Sequence, residues 1–201
     1  LMNNDIEILS PDWLSEMIGH AIQEEVGAVG ARLWYPDKTL QHGGVIMGLG
    51  GVAGHAHKHI RGNMPGYFGR ACLQQSFSAV TAACLLVARS KYEEVCGLDE
   101  VNLKIAFNDV DFCLKLQDAG YRNVWTPYAE MFHHESLSRG QDDTLEKQER
   151  FMMEVEYMTK RWPEIIASDP AYSPNLSLDV RAEPFSIAWP PRWYSQSKQK
   201  A

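Results

Sequence analysis

The 201-residue chain has little of several things, and each scarcity narrows what it can be. No apolar run approaches the roughly 18–20 residues that span a bilayer, and the first residues lack the basic-then-apolar pattern of a signal peptide. There is no P-loop, no GxSxG and no HExxH, which removes the simplest NTPase, hydrolase and metalloprotease readings. Cationic side chains are outnumbered, 19 Lys and Arg against 26 Asp and Glu. The resulting net charge of -7 argues against a broad nucleic-acid surface, which needs clustered Lys and Arg to neutralise phosphates. It leaves room for a phosphate-bearing small ligand held through a metal ion. Only four cysteines occur, Cys72, Cys84, Cys96 and Cys113, with no CxxC spacing and three of them in apolar stretches. They predict buried free thiols and a reducing, cytoplasmic compartment. No internal repeat or polar low-complexity tract is found, and 45% hydrophobic residues suffice for a full core.

What is present alternates between strand-like and helix-like segments. Ser10-Pro11-Asp12 offers a hydroxyl cap, a proline at the first helical position and an acid in the first turn. A helix is expected from there to about Glu25, with Trp13, Leu14, Met17, Ile18, Ala21 and Ile22 on its apolar face. Residues 26–33 read as a buried strand and 41–47 as a second, short one. Residues 48–69 are Gly-rich, carry His55, His57 and His59, and show no sustained period, which predicts a long functional or mobile loop. An apolar strand is expected over 79–88, a short helix over 90–96, and a helix opened by Asn108-Asp109-Val110-Asp111 and stopped by Gly120. Val124-Trp125 and Glu130-Met131-Phe132 are short strand candidates, and Asp142-Asp143-Thr144 caps a helix running to about Arg161. The fold class is therefore α/β, with 1–162 as the main domain and the Pro-rich residues 163–201 as an extended tail.

Four groups of residues could carry chemistry. Asn3-Asn4-Asp5 follows an apolar strand end, where α/β sheets bind ligands, and a hard cation takes such carboxylates together with phosphate oxygens; a plain turn is the alternative. Asp109 and Asp111 sit two apart at a helix start, where either caps the helix or acts as general base on a hydroxyl. His133 and His134 end an apolar strand as metal ligands or as structural groups. His55, His57 and His59 would share one face of an extended segment, which raises a zinc site, although no fourth ligand is evident nearby. Gly48-Leu49-Gly50-Gly51-Val52-Ala53 can be forced into a dinucleotide fingerprint, but no apolar helix follows it.

In order and spacing, these segments resemble the family 2 glycosyltransferases of the GT-A fold. The matching pieces are Leu1-Met2-Asn3-Asn4-Asp5 with Ser10-Pro11-Asp12-Trp13-Leu14, Val26-Gly27-Ala28-Val29-Gly30-Ala31, Tyr35-Pro36-Asp37 with Gln41-His42-Gly43-Gly44, and the apolar residues 79–87. They continue through Gly97-Leu98-Asp99-Glu100, Phe107-Asn108-Asp109-Val110-Asp111, Ala119-Gly120-Tyr121-Arg122 and His133-His134-Glu135-Ser136. The residues around Asn175-Leu176-Ser177-Leu178 and Ala188-Trp189-Pro190-Pro191-Arg192 are similar to the ending of bacterial members that assemble O-antigen and other surface polysaccharides.

The resemblance implies a divalent metal, Mg²⁺ or Mn²⁺, held by Asp5 with Asn3 at the first position of the DxD motif, and approached by His134 or, as the alternative, His133. It implies Asp109 as the base for inverting transfer, with Asp111 as runner-up, a nucleotide-sugar donor, and a saccharide or lipid-linked saccharide acceptor. Trp125, Gly50, Gly51 and His133 are expected on the donor or acceptor side, with residues 48–69 as a flexible cover. The location it implies is cytoplasmic, or peripheral at the inner membrane. The family's N-terminal nucleotide-binding half has no counterpart ahead of Leu1, so a partial GT-A domain, inactive alone, is expected. The alternative is a non-catalytic saccharide-binding or scaffolding module of the same fold.

Overall fold

Two parallel strands at the centre of one sheet organise the molecule. The computed structural model describes residues 1–62, 64–134, 144–182 and 185–192; Glu135, Ser136, Asp142, Asp143 and Pro184 of the segments above lie outside them. In chain order the elements are β1 (Ile6–Ile8), α1 (Trp13–Ala21), β2 (Val26–Trp34), β3 (Leu40–His42), β4 (Val45–Met47), β5 (Ala53–His55), β6 (Gln75–Phe77), β7 (Leu85–Val87), α2 (Arg89–Glu94), α3 (Asn108–Asp118), β8 (Arg122–His133), α4 (Leu145–Arg161) and α5 (Pro163–Ala167), with a 3-10 turn at Tyr67–Gly69. β2 and β8 run parallel. The outer edge of β8 carries β6 on its first half and β1 on its last, and the outer edge of β2 carries β7 and then β3, all antiparallel. β4 and β5 form a separate hairpin. The architecture is mixed α/β.

β2 is buried along nearly its whole length, as a strand covered on both faces must be. On one face Met17 and Ala21 of α1 meet Val29, Ala31, Leu33, Val124 and Met131. On the other, Phe112 and Leu116 of α3 pack with Ala28, Phe77 and Trp125. α1 is shorter than its sequence suggests. The Ser10 hydroxyl accepts the Glu130 N–H (3.0 Å) instead of capping the helix, and Leu14, Ile18 and Ile22 stay exposed because only the Met17–Ala21 side meets the sheet.

The two short strands expected near Val124 and Glu130 are one strand with a bulge. Trp125 lies opposite Gly30 and Glu130 opposite Arg32, so β8 takes five residues where β2 takes two. Pro127, which has no N–H for the ladder, falls inside the bulge. The Thr126 hydroxyl ties it to α1 by donating to Glu16 (2.6 Å).

The strand expected over 41–47 divides into β3 and β4 at Gly43-Gly44. Gly44 holds φ 96, and the Phe77 ring fills the space a Cβ would need. Gly44→Ala therefore combines left-handed strain with overpacking and is expected to cost about 2–4 kcal/mol in urea unfolding. The stretch 79–88 is strand only at β7. Ahead of it, the Ser78 hydroxyl and the Thr81 and Ala82 groups turn to aspartates on other elements.

The residues after 162 do not stand off the domain. Tyr172, Leu176 and Phe185 are buried in the same core as α3 and Met158. Buried Asp169 accepts the Met47 N–H (2.6 Å), the Ser78 hydroxyl (2.6 Å) and the Ala171 N–H (2.7 Å). All four cysteines are free; Cys84 and Cys113 are buried, whereas Cys72 and Cys96 are exposed. Burial pushes the Cys84 thiol up to about 11. Among the described residues, no helix is long and apolar enough to cross a membrane.

Candidate functional site

The candidate residues gather at the C-terminal ends of β2 and β8, where β3 and β1 border them. Ligands of α/β sheets bind at such strand ends. β8 ends at His133, and pairing with β1 brings Asn3 and Asp5 alongside it. Asn3 is anchored by its own N–H to the Ala83 carbonyl (2.9 Å). His133 Nε2 lies 3.2 Å from Asn3 Nδ2 and 3.1 Å from Asp5 Oδ1. The other ring nitrogen, Nδ1, is 2.7 Å from Gln41 Oε1 and donates its hydrogen there. In the neutral ring, Nε2 then accepts from the Asn3 amide, with the Asp5 carboxylate beside it. Asp5 Oδ1 is buried and, among the described residues, accepts no hydrogen bond, although the His133 imidazole stands at ion-pair distance. Two acceptors converging in this way suit a cation.

His134 does not take part in this cluster. Successive side chains leave a strand on opposite faces, and His134 Nε2 meets exposed Glu7 at 3.1 Å. The histidine beside Asp5 is thus His133, the alternative, and not His134.

β3 links this cluster to the aspartate on α3. Gln41 reaches His133, while the adjacent His42 is fully buried and turns the other way. His42 Nε2 accepts the Thr81 N–H (3.4 Å), and its Nδ1 donates to His55 Nδ1 (2.8 Å). Burial, and then the neighbouring His55 and His133, hold the His42 pKa well below the ordinary imidazole range. Half-buried Asp109 accepts the Thr81 hydroxyl and the Ala82 N–H at Oδ2, both at 3.0 Å, and the Val110 N–H at Oδ1 (2.9 Å). Residues 81–83 therefore join the two ends of the site: Thr81 and Ala82 hold Asp109, and Ala83 holds Asn3.

Asp111 cannot share this position, because two residues along a helix point about 200° apart. It is 0% exposed and faces the α4–α5 junction, bonded to Trp162 Nε1 (2.9 Å), Arg161 Nε (3.0 Å) and, more loosely, Lys115 Nζ (3.6 Å). Its reading as a base is corrected to a structural one. Trp125 is likewise core, fully buried and edge-on to Phe77, and offers no ligand surface. Gly50 and Gly51 form the turn between β4 and β5, with φ 71 and 120, and the Gly50 N–H bonds the Leu178 carbonyl (3.0 Å). They shape a hairpin packed on the C-terminal segment, so 48–55 is not a flexible cover.

The zinc reading fails on backbone geometry. His57 and His59 adopt φ 56 and 68, so the segment is not extended and the three rings part company. His55 joins His42, His57 stacks on Phe185 (centroids 4.0 Å apart) and accepts the Tyr67 N–H, and His59 stacks on Tyr35. Among the described residues, no group of three or more His, Cys, Asp or Glu side chains can hold a metal.

His57 has a measurable consequence. Burial, reinforced by Arg70, lowers its pKa to about 4, so between there and the ordinary value of about 6.5 the unfolded chain binds the extra proton. Its stability contribution is present above pH 6.5 and is lost as pH falls towards 4. Urea unfolding at pH 7, 6 and 5 should show stability falling with pH, and His57→Gln should flatten that slope.

Sequence reasoning left Gln41, His42 and Thr81 without roles. Gln41 and His42 stood in a block that carried the resemblance, but their partners lie far along the chain, 92 residues away for Gln41–His133 and 39 for His42–Thr81.

Comparison with known proteins yields no matching family model. The chain is 52% identical over 198 residues, 98% of its length, to an uncharacterized protein, y4gI, of Sinorhizobium fredii. It is 35% identical over 178 residues, 88% of its length, to the O-antigen biosynthesis protein RfbC of Myxococcus xanthus. Over 63 residues, 31% of its length, it is 40% identical to an N-acetylglucosaminyl-diphospho-decaprenol L-rhamnosyltransferase of Mycobacterium tuberculosis. The chain spans 22%, 14% and 20% of these relatives' lengths. The names of the Myxococcus and Mycobacterium relatives point to a glycosyltransferase-like family.

Proposed function

We propose that this chain carries the metal corner and the acceptor side of an inverting glycosyltransferase of the GT-A type, within a protein that assembles surface polysaccharide. One observation carries the reading. Asn3, Asp5 and His133 at one end, and Asp109 at the other, are joined through residues 81–83 at the carboxyl ends of two parallel strands. The names of the Myxococcus and Mycobacterium relatives support the same chemistry.

The orphaned Asp5 oxygen facing His133 Nε2 fits a divalent cation, Mg²⁺ or Mn²⁺. One carboxylate and one imidazole are too few for an all-protein cage, but they suffice for an ion that takes its remaining ligands from phosphate and water. Such an ion, when bound, neutralises the diphosphate of the donor. Gln41 orients the imidazole by accepting its Nδ1–H, and Asn3 stands as a neutral first member of the motif.

Asp109 is the base. Its carboxylate is held by Thr81 and Ala82, yet remains half-exposed at the site. It removes the proton from an acceptor hydroxyl as that oxygen attacks the anomeric carbon. The new C–O bond forms on the face opposite the departing nucleoside diphosphate, whose C–O bond breaks, so the configuration inverts. The acceptor is a saccharide or lipid-linked saccharide, the class named for the Mycobacterium relative, and the chemistry takes place in the cytoplasm.

A donor screen on the full-length protein tests this. UDP-, GDP- and dTDP-sugars, each with Mg²⁺ or Mn²⁺, should give one pair that releases nucleoside diphosphate, and EDTA should abolish the release. Saccharide binding without turnover of any donor would point instead to a non-catalytic module of the same fold.

A further inference from the structure

One stretch departs from the acidic character of the rest. Residues 38–92 contain no Asp or Glu, so all 26 acidic residues lie elsewhere, whereas six of the 19 Lys and Arg fall inside: Lys38, Lys58, Arg61, Arg70, Arg89 and Lys91. Exposed Lys38, Lys58 and Arg61 come from neighbouring strips of chain. The Thr39–Arg61 bridge and the Leu40 N–H to the Ile60 carbonyl (2.8 Å) hold 38–40 against 60–61, and Lys58 Nζ stands 5.8 Å over the Tyr35 ring. The adjacent Asp37 carboxylate accepts the Thr39 N–H and hydroxyl (2.9 and 2.7 Å), so the three cations outnumber the acids here three to one.

Directly after Arg61 comes a loop with the opposite preference. The Met64 N–H bonds the Arg61 carbonyl (2.9 Å) and the Ala71 N–H bonds the Pro65 carbonyl (3.0 Å). On this loop Met64, Phe68 and Leu73 are 54%, 86% and 55% exposed. Phe68 holds left-handed backbone angles, φ 50 and ψ 34, an unfavourable conformation for a bulky residue, and its ring stands out in solvent. The loop is braced from beneath, with Tyr67 stacked on Phe185 (5.1 Å) and its N–H bonded to His57 Nε2 (3.1 Å). These apolar side chains are thus displayed on an ordered support.

From this pairing of exposed cations with displayed apolar groups we infer that the region docks on an anionic lipid surface. Phe68, Met64 and Leu73 enter the boundary between headgroups and acyl chains, and Lys38, Lys58 and Arg61 meet the phosphates. Both halves of a bilayer interface are matched, whereas an acidic protein surface would match the cations alone. The acidic remainder of the chain is repelled by the same lipids, which fixes which side turns to them. The inference stands apart from the reading of the active site, and its failure would leave that reading untouched.

Cosedimentation of the full chain with vesicles tests it, comparing phosphatidylcholine alone with phosphatidylcholine containing phosphatidylglycerol. The chain should bind only the anionic vesicles and be released by about 0.5 M salt. Phe68→Ser should weaken binding about tenfold, and the double substitution Lys58→Glu, Arg61→Glu roughly thirtyfold or more, while Lys160→Glu on α4 leaves it unchanged. All these side chains are exposed, and an unchanged thermal midpoint confirms that the variants fold. Equal binding to both vesicle types, binding to neither, or wild-type binding by the Phe68 and double variants would overturn the inference. So would retention by polyglutamate without binding to vesicles, which would indicate an acidic protein partner.

Discussion

Asp109→Asn in the full-length protein is expected to lower the rate of sugar transfer by about 10²–10⁴-fold, the range associated with losing a positioned general base. The amide is nearly isosteric, and its oxygen can still accept from the Ala82 N–H and the Thr81 hydroxyl, so the loop over 81–83 and the thermal midpoint should change little. Donor affinity should also hold, because the diphosphate is assigned to the Asp5–His133 end of the site. The measurement is nucleoside diphosphate release at saturating donor and acceptor, set beside a melting curve. Release at the wild-type rate would remove Asp109 as the base and leave it a structural clamp on Thr81 and Ala82.

Asp111→Ala should do the reverse, harming stability far more than chemistry. Asp111 is fully buried, and its loss leaves the Trp162 indole N–H and two cations without their partner. Breaking one member of a buried charge cluster costs roughly 3–5 kcal/mol. The lower end is expected, because Arg161 is 38% exposed and regains water. For a domain of this size, about 3 kcal/mol lowers the melting temperature by roughly 6–12 °C. Asp111→Asn, which keeps an acceptor for Trp162, should lose less. Transfer per folded molecule should stay near wild type for both variants. A melting temperature equal to wild type for Asp111→Ala would mean that the cluster does not tie α3 to the α4–α5 junction, and a collapse of transfer without unfolding would exchange the roles of the two aspartates.

Much of the fold was legible where a signal is local. The Gly120 stop and the helix ending at Arg161 follow from capping and period, and the structure places them there; α3 also starts at Asn108 as expected, although Phe107 precedes it in a left-handed turn without a side-chain cap. Errors arose where distant groups compete for a local one. Ser10 looked like a helix cap until Glu130 took its hydroxyl. Residues 79–84 looked like a strand, but their polar groups serve Asp109 and a register of bridges. Residues 48–69 looked like a loop because Gly and His carry no period, but 48–55 belong to a hairpin packed on a segment more than a hundred residues later. Among the candidate residues, sequence offered Asn3, Asp5, two aspartates and two histidines without separating either pair. Burial puts Asp111 in the core and leaves Asp109 half-exposed, and strand alternation turns His133 towards Asp5 and His134 towards Glu7.

The sequence by itself determined the α/β class, the order of the first four helices and the types of side chain available to the candidate site, because period, caps and composition act over a few residues. Only the tertiary structure decided which of those side chains meet. Asp109 and Asp111 differ by two positions on one helix, and His133 and His134 by one at the end of a strand, yet each pair is divided between the candidate site and its surroundings. The geometry of the elements sends neighbours in opposite directions, and packing against distant chain determines which direction is the cleft.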